Sequence, residues 1–200
     1  MLVVAEPIAD ELTLRDGERI VVRPIRPADG VPLAELHARL SPDSIYTRYF
    51  GFKPVLSAAD IKRFTSIAEA WRFALVGVRS NSQLAGVTRY EGLPGHSDAE
   101  IALVVDDALH HHGLGHLLLQ RLIDVARTSG MASLSAVVLA SNRPMLQLLQ
   151  GLPVPTSSAR ESGDVVIRLD LTGLELPADR SRIAAAHVAE ADAIRATLGS

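Results

Sequence analysis

The chain has 200 residues, is 48% hydrophobic and 22% charged, and carries a formal charge of −3 with its histidines neutral. That suits one globular domain with a real core and leaves no basic footprint for nucleic acid. It has no cysteine, which excludes disulfides, thiolate metal sites and a cysteine nucleophile.

The opening stretch, MLVVAEPIADE, has no basic n-region and carries acids early, so it does not read as a signal peptide. No apolar run approaches membrane-spanning length, and a cytoplasmic protein without a membrane partner is expected. LTLRDGERIVVRPI then places Asp16-Gly17 between two β-type runs, the pattern of a hairpin. Asp29 is positioned to cap a helix carrying Leu33, Leu36 and Leu40. Ser41-Pro42 restarts the chain into a short helix, DSIYTRYF, and Ser57 to Asp60 has the spacing of a capping box for a third.

From Phe73 the period changes to that of strands. FALVGVRS and QLAGVTRYEG flank a turn at Ser80-Asn81-Ser82, and DAEIALVVDD follows as a central strand. Gly113 to Thr128 reads as a helix with Leu114, Leu117, Leu118, Leu122 and Val125 on its apolar face and a left-handed cap near Gly130. LSAVVLA is a further strand, and RPMLQLLQ is a short helix with Pro144 in its first turn. SARESGDVVIRLDL is a hairpin around Ser162-Gly163. A last Ala-rich helix starts at Pro177 with Ile183, Ile194 and Leu198 on one face. It docks on this domain, pairs with a second subunit, or frays. The order predicts an α/β (α+β) domain, one mixed sheet with helices on its faces, over residues 1–175, with 176–200 as a helical extension.

Four of the seven histidines fall at 110, 111, 112 and 116, in HHHGLGHLLLQRL. The first amides of a helix lack internal acceptors and sit at the positive end of its dipole, so a pyrophosphate placed there gathers N–H donors. Glycine at 113 and 115 removes the Cβ atoms that would hold it off. Leu118 stands where a dinucleotide fingerprint has its third glycine, and no Gly-Lys-Ser/Thr follows. The turn therefore cradles a phosphate in another context or is simply a turn. His112 and His116 share a face if both are helical. Residue 113 is glycine and the nearest upstream acids, Asp106 and Asp107, lie on the preceding loop, so no metal site is expected.

His110-His111-His112-Gly113-Leu114-Gly115, between a strand and a long amphipathic helix, resembles the acyl-CoA signature Gln/Arg-x-x-Gly-x-Gly/Ala of the GNAT superfamily of N-acetyltransferases. His110 stands where glutamine or arginine is usual. FALVGVRSNSQLAGVTRYEG resembles the hairpin before the cofactor strand of these enzymes. VVLASNRPMLQLLQ resembles the strand and helix that complete the cofactor cleft, with Asn142 at the usual asparagine. The resemblance runs from Leu14 to Leu171. More narrowly, LRDGERIVVRPIRPADG, LSPDSIYTRYF and AEIALVV resemble the Pat-type bacterial protein lysine acetyltransferases. These modify targets such as acyl-CoA synthetases and universal stress proteins. Many carry a further regulatory domain, for which this length leaves no room, so a catalytic domain alone, without direct regulation by cAMP, is expected.

The resemblance implies a mostly antiparallel central sheet with helices on both faces, splayed at an acyl-CoA cleft, and acetyl-CoA as co-substrate. It assigns cofactor contacts to His110, His111, His112, Gly113, Leu114, Gly115 and His116, mainly through backbone amides. Main-chain pairing falls to Leu103, Val104 and Val105, and Asn142 and Met145 flank the cofactor from the far side. Protonation of the imidazoles would strengthen pyrophosphate binding below neutral pH. Glu100, in the same strand, is implied as the general base for the attacking lysine amine, acting through a water, with a main-chain N–H near Leu103 polarising the thioester. Flanked by Ala99 and Ile101, its carboxylate is expected to be partly desolvated. The alternative for Glu100 is an ion pair with an arginine such as Arg89. GLPVPTSS holds no tyrosine to serve as general acid, which leaves thiolate protonation to solvent. Tyr46, Tyr49 and Tyr90 read as packing or rim residues, and Arg48 and Arg72 either select an acidic patch on a target or are solvated. Two further readings stand beside a protein lysine acceptor: a small amine acceptor, and a non-catalytic acyl-CoA-binding module.

Overall fold

The computed structural model describes residues 10–67, 69 and 71–198. The N-terminal stretch weighed as a signal peptide lies outside them up to residue 9. Among these residues the strands are β1 (Asp10–Thr13), β2 (Arg19–Pro24), β3 (Arg72–Arg79), β4 (Leu84–Gly92), β5 (Asp98–Val105), β6 (Ser133–Leu139), β7 (Thr156–Glu161) and β8 (Asp164–Asp170). They form one sheet in the order β1-β2-β3-β4-β5-β6-β8-β7. All neighbours are antiparallel except β5 and β6. A parallel step needs a long crossover, and α4 (Leu114–Thr128) supplies it. This is the mixed, mostly antiparallel sheet expected.

Phe73–Gly77 and Leu84–Tyr90 are buried without alternation, because the central strands are covered on both faces. One cover is α1 (Gly30–Arg39), α2 (Pro42–Tyr49) and α3 (Ala58–Thr65); the other is α4. The caps follow the local sequence. Ser41 Oγ accepts from the Ser44 amide at 3.2 Å, and Ser57 and Asp60 form a reciprocal capping box. Gly130 closes α4 at φ +83°, with the Met131 amide reaching back to the Ala126 carbonyl.

Asp29 differs from expectation. Its carboxylate takes a bidentate pair of bonds from Arg23, 2.8 and 2.7 Å, and one from the Arg26 amide at 2.7 Å, and so gives α1 no side-chain cap. Charge-assisted bidentate bonds outcompete a neutral cap. The β1–β2 hairpin closes where Asp16-Gly17 implies: the Leu14 amide donates to the Glu18 carbonyl at 2.9 Å and the Gly17 amide to the Leu14 carbonyl at 3.0 Å, with Gly17 at φ 87°.

The terminal helix, α6 (Ala178–Leu198), docks on this domain, against α4 and β2. Its buried positions are Ala184, His187 and Ala191, whereas Leu198 is 45% exposed. Small residues let α6 lie close to α4, and α4 correspondingly buries Leu119, Ile123 and Asp124 beyond the face read from its apolar spacing. Polar clasps fix the docking. Arg121 Nε donates to both Asp10 oxygens at 3.0 and 2.8 Å, His187 Nε2 lies 3.0 Å from Asp10 Oδ2, and Arg180 pairs with Asp124. Burial pushes the Asp10 carboxyl up, but the hydrogen bonds from His187 and Arg121 more than offset it and leave it below the ordinary carboxylate range.

Candidate active site

β6 pairs with β5 only at Asp98↔Ser133, Ala99↔Leu134 and Glu100↔Ser135. Beyond that β5 continues along β4 to Val105, and β6 continues along β8 to Leu139. The sheet therefore opens from Ile101 onward. The Asp106 amide donates to the Ala85 carbonyl and Thr88 Oγ1 to the Ala102 carbonyl. Even-numbered residues of β5 thus turn their main chain to β4. Odd-numbered ones turn it to the opening, as the Ala99 carbonyl facing Ser135 Oγ confirms. Leu103 exposes a free N–H and C=O there and Val105 a free N–H, while the Val105 carbonyl is taken by His110. Val104, expected among the pairing residues, spends its main chain on β4, because successive residues of a strand alternate in the direction they bond.

At the mouth of the opening the chain turns into α4. His111 at φ 66° and Gly113 at φ 94° both adopt the left-handed region. The first helical bond is made by the Leu117 amide to the Gly113 carbonyl at 3.1 Å, which leaves the amides of Leu114, Gly115 and His116 without helical acceptors. A Cβ on Gly115 would stand 3.3 Å from both Leu103 Cδ2 and Leu148 Cδ2. The first turn of α4 is thus wedged between β5 and α5 (Arg143–Gln150). Asn142 caps α5, its Oδ1 accepting from the Met145 amide at 3.2 Å, and Met145 packs partly buried against the core. Cradle, open strand edge and far wall are therefore contiguous, which is the shape a phosphate-bearing, strand-like pantetheine ligand requires.

Two of the histidines are tied to the scaffold. His110 Nε2 lies 3.1 Å from the Val105 carbonyl, to which its Nε2–H tautomer donates. His112 Nδ1 lies 2.7 Å from Asp16 Oδ2 and precedes the helix, so it does not share a helical face with His116. Asp106 binds Arg39 and the Ala108 amide, and Asp107 accepts from the Ser41 amide and Ser44 Oγ. One cation at the cradle escaped the sequence reading. The Arg15 amide donates to the His112 carbonyl, and Arg15 Nε lies 3.9 Å from where a Gly113 Cβ would stand. Nothing in a hairpin-tip arginine nearly a hundred residues away announces that contact.

Replacing Gly113 with alanine tests the cradle. A Cβ at φ 94° costs about 1–2 kcal/mol in the left-handed region. The variant is expected to melt earlier and, as the turn relaxes, to bind acetyl-CoA more weakly. Thermal melting and calorimetric titration read the two effects.

Glu100 sits opposite Glu91 on β4 and beside Ser135 on β6. It is exposed, and among the described residues makes no hydrogen bond or ion pair within 4.0 Å. The expected desolvation by Ala99 and Ile101 is not found: both are buried on the opposite face, where strand alternation puts them. The alternative pairing with Arg89 is absent too, since Arg89 donates to the Phe64 carbonyl at 2.7 Å and stacks over that ring. The side chains of Ala102 and Val104, on Glu100's face, line a small cavity with Leu36, Arg48, Tyr49 and Arg89. Tyr90 is buried against Phe73, Tyr46 is exposed, and Tyr49 packs on Phe64, in keeping with packing and rim roles. Arg72 is held by Glu91 at 3.1 Å and Glu69 at 3.6 Å.

A sheet split after a parallel step, with a glycine turn opening a helix into the split, is the architecture of a GNAT acyltransferase. The family model of the GNAT acetyltransferase domain matches residues 19–152, and the chain belongs to that family of N-acetyltransferases. It is 30% identical over 163 residues to an acetyltransferase of Pseudomonas aeruginosa, covering 80% of this chain and 88% of that one. The crystal structure of the GNAT domain of S. lividans PAT is similar with a TM-score of 0.75 and 29% identity, covering 83% of this chain and 99% of that chain. A cAMP-binding acyltransferase from Mycobacterium smegmatis shares the fold, with a TM-score of 0.63 and 22% identity, over 94% of this chain and 56% of that chain. GNAT acetyltransferases use acetyl-CoA as co-substrate. Among the described residues no helix is long and apolar enough to cross a membrane.

Proposed function

We propose that the chain transfers the acetyl group of acetyl-CoA to a lysine side chain of a protein, such as an acyl-CoA synthetase, in the cytoplasm. Residues 1–175 are the catalytic domain and 176–200 a helical extension, of which Ala178–Leu198 packs on it. The single observation that carries the proposal is the opened edge of β5, which leads from the free main-chain groups of Leu103 and the Val105 N–H to Glu100 on the same strand. Similarity to the S. lividans PAT domain supports the protein acceptor.

In this reading the amides of Leu114, Gly115 and His116 hold the pyrophosphate, with His111, His112 and Gly113 shaping the turn. Leu103 and Val105 pair with the pantetheine arm, and Asn142 and Met145 close the far side. His110 occupies the Val105 carbonyl at the mouth. A lysine amine has a pKa near 10.4, so at neutral pH it arrives protonated. Glu100 takes that proton through a water, and the neutral nitrogen attacks the thioester carbon. The Leu103 N–H faces the opening and stabilises charge growing on the thioester oxygen. The C–S bond breaks as the amide forms, and the second proton, shed by the nitrogen after attack, passes to solvent, from which the departing thiolate is protonated.

Labelled acetyl-CoA offered with an acyl-CoA synthetase, a polyamine and free amino acids tests this. Label on a protein lysine is expected. Label on small amines alone would contradict the protein acceptor, and binding without any transfer would favour a non-catalytic acyl-CoA module.

A further inference from the structure

On the face of the sheet that carries Glu100, two guanidinium groups line one cavity that contains no carboxylate. Arg48 of α2 and Arg89 of β4 both border it, with Leu36, Tyr49, Phe64 and Val104 as the apolar walls. Arg89 is 9% exposed, and its one hydrogen bond among the described residues goes to the Phe64 carbonyl. Arg48 makes none; it lies 4.9 Å from the centre of the Tyr49 ring. The neighbouring acids do not reach in. Glu91 is claimed by Arg63 and Arg72, and Glu100 stands exposed beyond. Burial, and then each other's charge, push Arg89 down to about 10, and burial lowers Arg48 as well. Both remain cationic at neutral pH. Arg89 is buried and Arg48 half-buried; Glu91 and Glu100 act on them only from a distance, with no ion pair formed. A buried cation without a paired anion is costly, and two in one cavity repel. The fold nevertheless keeps this pair against Ala102 and Val104, on the strand that carries the proposed catalytic carboxylate.

We infer that Arg48 and Arg89 form a receptor for a carboxylate carried by the acyl acceptor, close to the amine that is acetylated. This rests on the acetyltransferase reading and names a chemical requirement of the acceptor. The cavity, about 30 Å³, holds roughly two waters, enough for a carboxylate head and too little for a whole substrate. A carboxylate there accepts bidentate bonds from planar guanidinium forks, the geometry arginine favours. It neutralises the repulsion and leaves the rest of the acceptor at the mouth, on the side of Glu100. The carboxylate comes either from an acidic residue flanking a target lysine or from a free amino acid.

Two measurements test it. The first compares paired acceptors in turnover: peptides differing only by Glu or Gln beside the lysine, and an amino acid against its amide. An approximately tenfold or greater preference in kcat/KM for the carboxylate is expected, carried by KM, as one charge-assisted bond commands. The preference is expected to collapse in Arg48→Gln and to be partly retained in Arg48→Lys. The pair that shows it identifies the source. Equal kcat/KM within both pairs would overturn the receptor while leaving the acetyltransferase reading intact. The second measurement needs no turnover. Millimolar acetate is expected to shift the Arg48 and Arg89 Nε–H resonances saturably in wild type and not in Arg48→Gln. Unmoved resonances would overturn the proposal even if no amine were ever acetylated.

Discussion

Glu100→Gln is expected to lower kcat with a lysine acceptor about 100-fold or more at neutral pH, the usual share of a general base, while the Kd for acetyl-CoA stays within about twofold. Glutamine keeps the shape and the hydrogen-bonding reach but cannot take a proton. The proposed acetyl-CoA surfaces are the main chain of Leu103 and Val105 and the start of α4, which this substitution does not touch. Because Glu100 is exposed and without a partner in hydrogen-bond or ion-pair range, its loss leaves no buried charge behind, and the fold is expected to be unaffected. The deficit should shrink as pH rises towards the pKa of the amine, about 10.4, since solvent then supplies the neutral nucleophile. Steady-state rates from pH 6 to 10 on both proteins check this. Equal kcat at neutral pH would remove Glu100 as the base.

Asp10→Asn is expected to destabilise the protein by about 3–5 kcal/mol at neutral pH, the range for breaking a buried ion pair from one side. It strands Arg121, which makes two bonds to that carboxylate, and leaves the nearly buried His187 facing an amide. The two donors come from α4 and α6, so the same change loosens the terminal helix. The folded carboxyl is held below its ordinary value. Its stabilisation is therefore present above the unfolded pKa, about 3.9, and is lost as pH falls through the lower folded value. Urea unfolding at pH 7 and again near pH 3 should show a wide gap between variant and wild type that narrows in acid. A gap that is independent of pH would mean that packing, and not charge, holds Asp10 in place.

Local signals carried most of the fold. Capping residues at Ser41 and Ser57, the left-handed Gly130 and the Ser162-Gly163 turn all sit in the elements their chemistry implies. Both residues of that turn have positive φ, at 52° and 96°, as a tight hairpin demands. Less legible was whatever depends on partners distant in sequence. Asp29 reads as a cap until Arg23 folds back on it. The terminal helix has no single apolar stripe, so the burial of Ala184, His187 and Ala191 depends on α4 and Asp10 being there to receive them.

The site divides in the same way. The glycine turn and the strand before it were readable because a helix start and a strand edge are local. That Val104 faces away from the cleft, that Ala99 and Ile101 cannot shield Glu100, and that Arg15 leans over Gly113 all follow from register and docking. The histidine cluster is the plainest case. Its residues invite a metal or an anion, yet His110 and His112 are engaged by Val105 and Asp16, and the proposed binding surface is the main chain around them.

Amide hydrogen exchange with and without acetyl-CoA tests the central claim, that the gap between β5 and β6 receives the cofactor. The account predicts protection of the Leu103 and Val105 amides together with those of Leu114, Gly115 and His116, and no change at Val104, already bonded to β4. Saturating acetyl-CoA that left Leu103, Val105 and the first turn of α4 exchanging as in the free protein would contradict it.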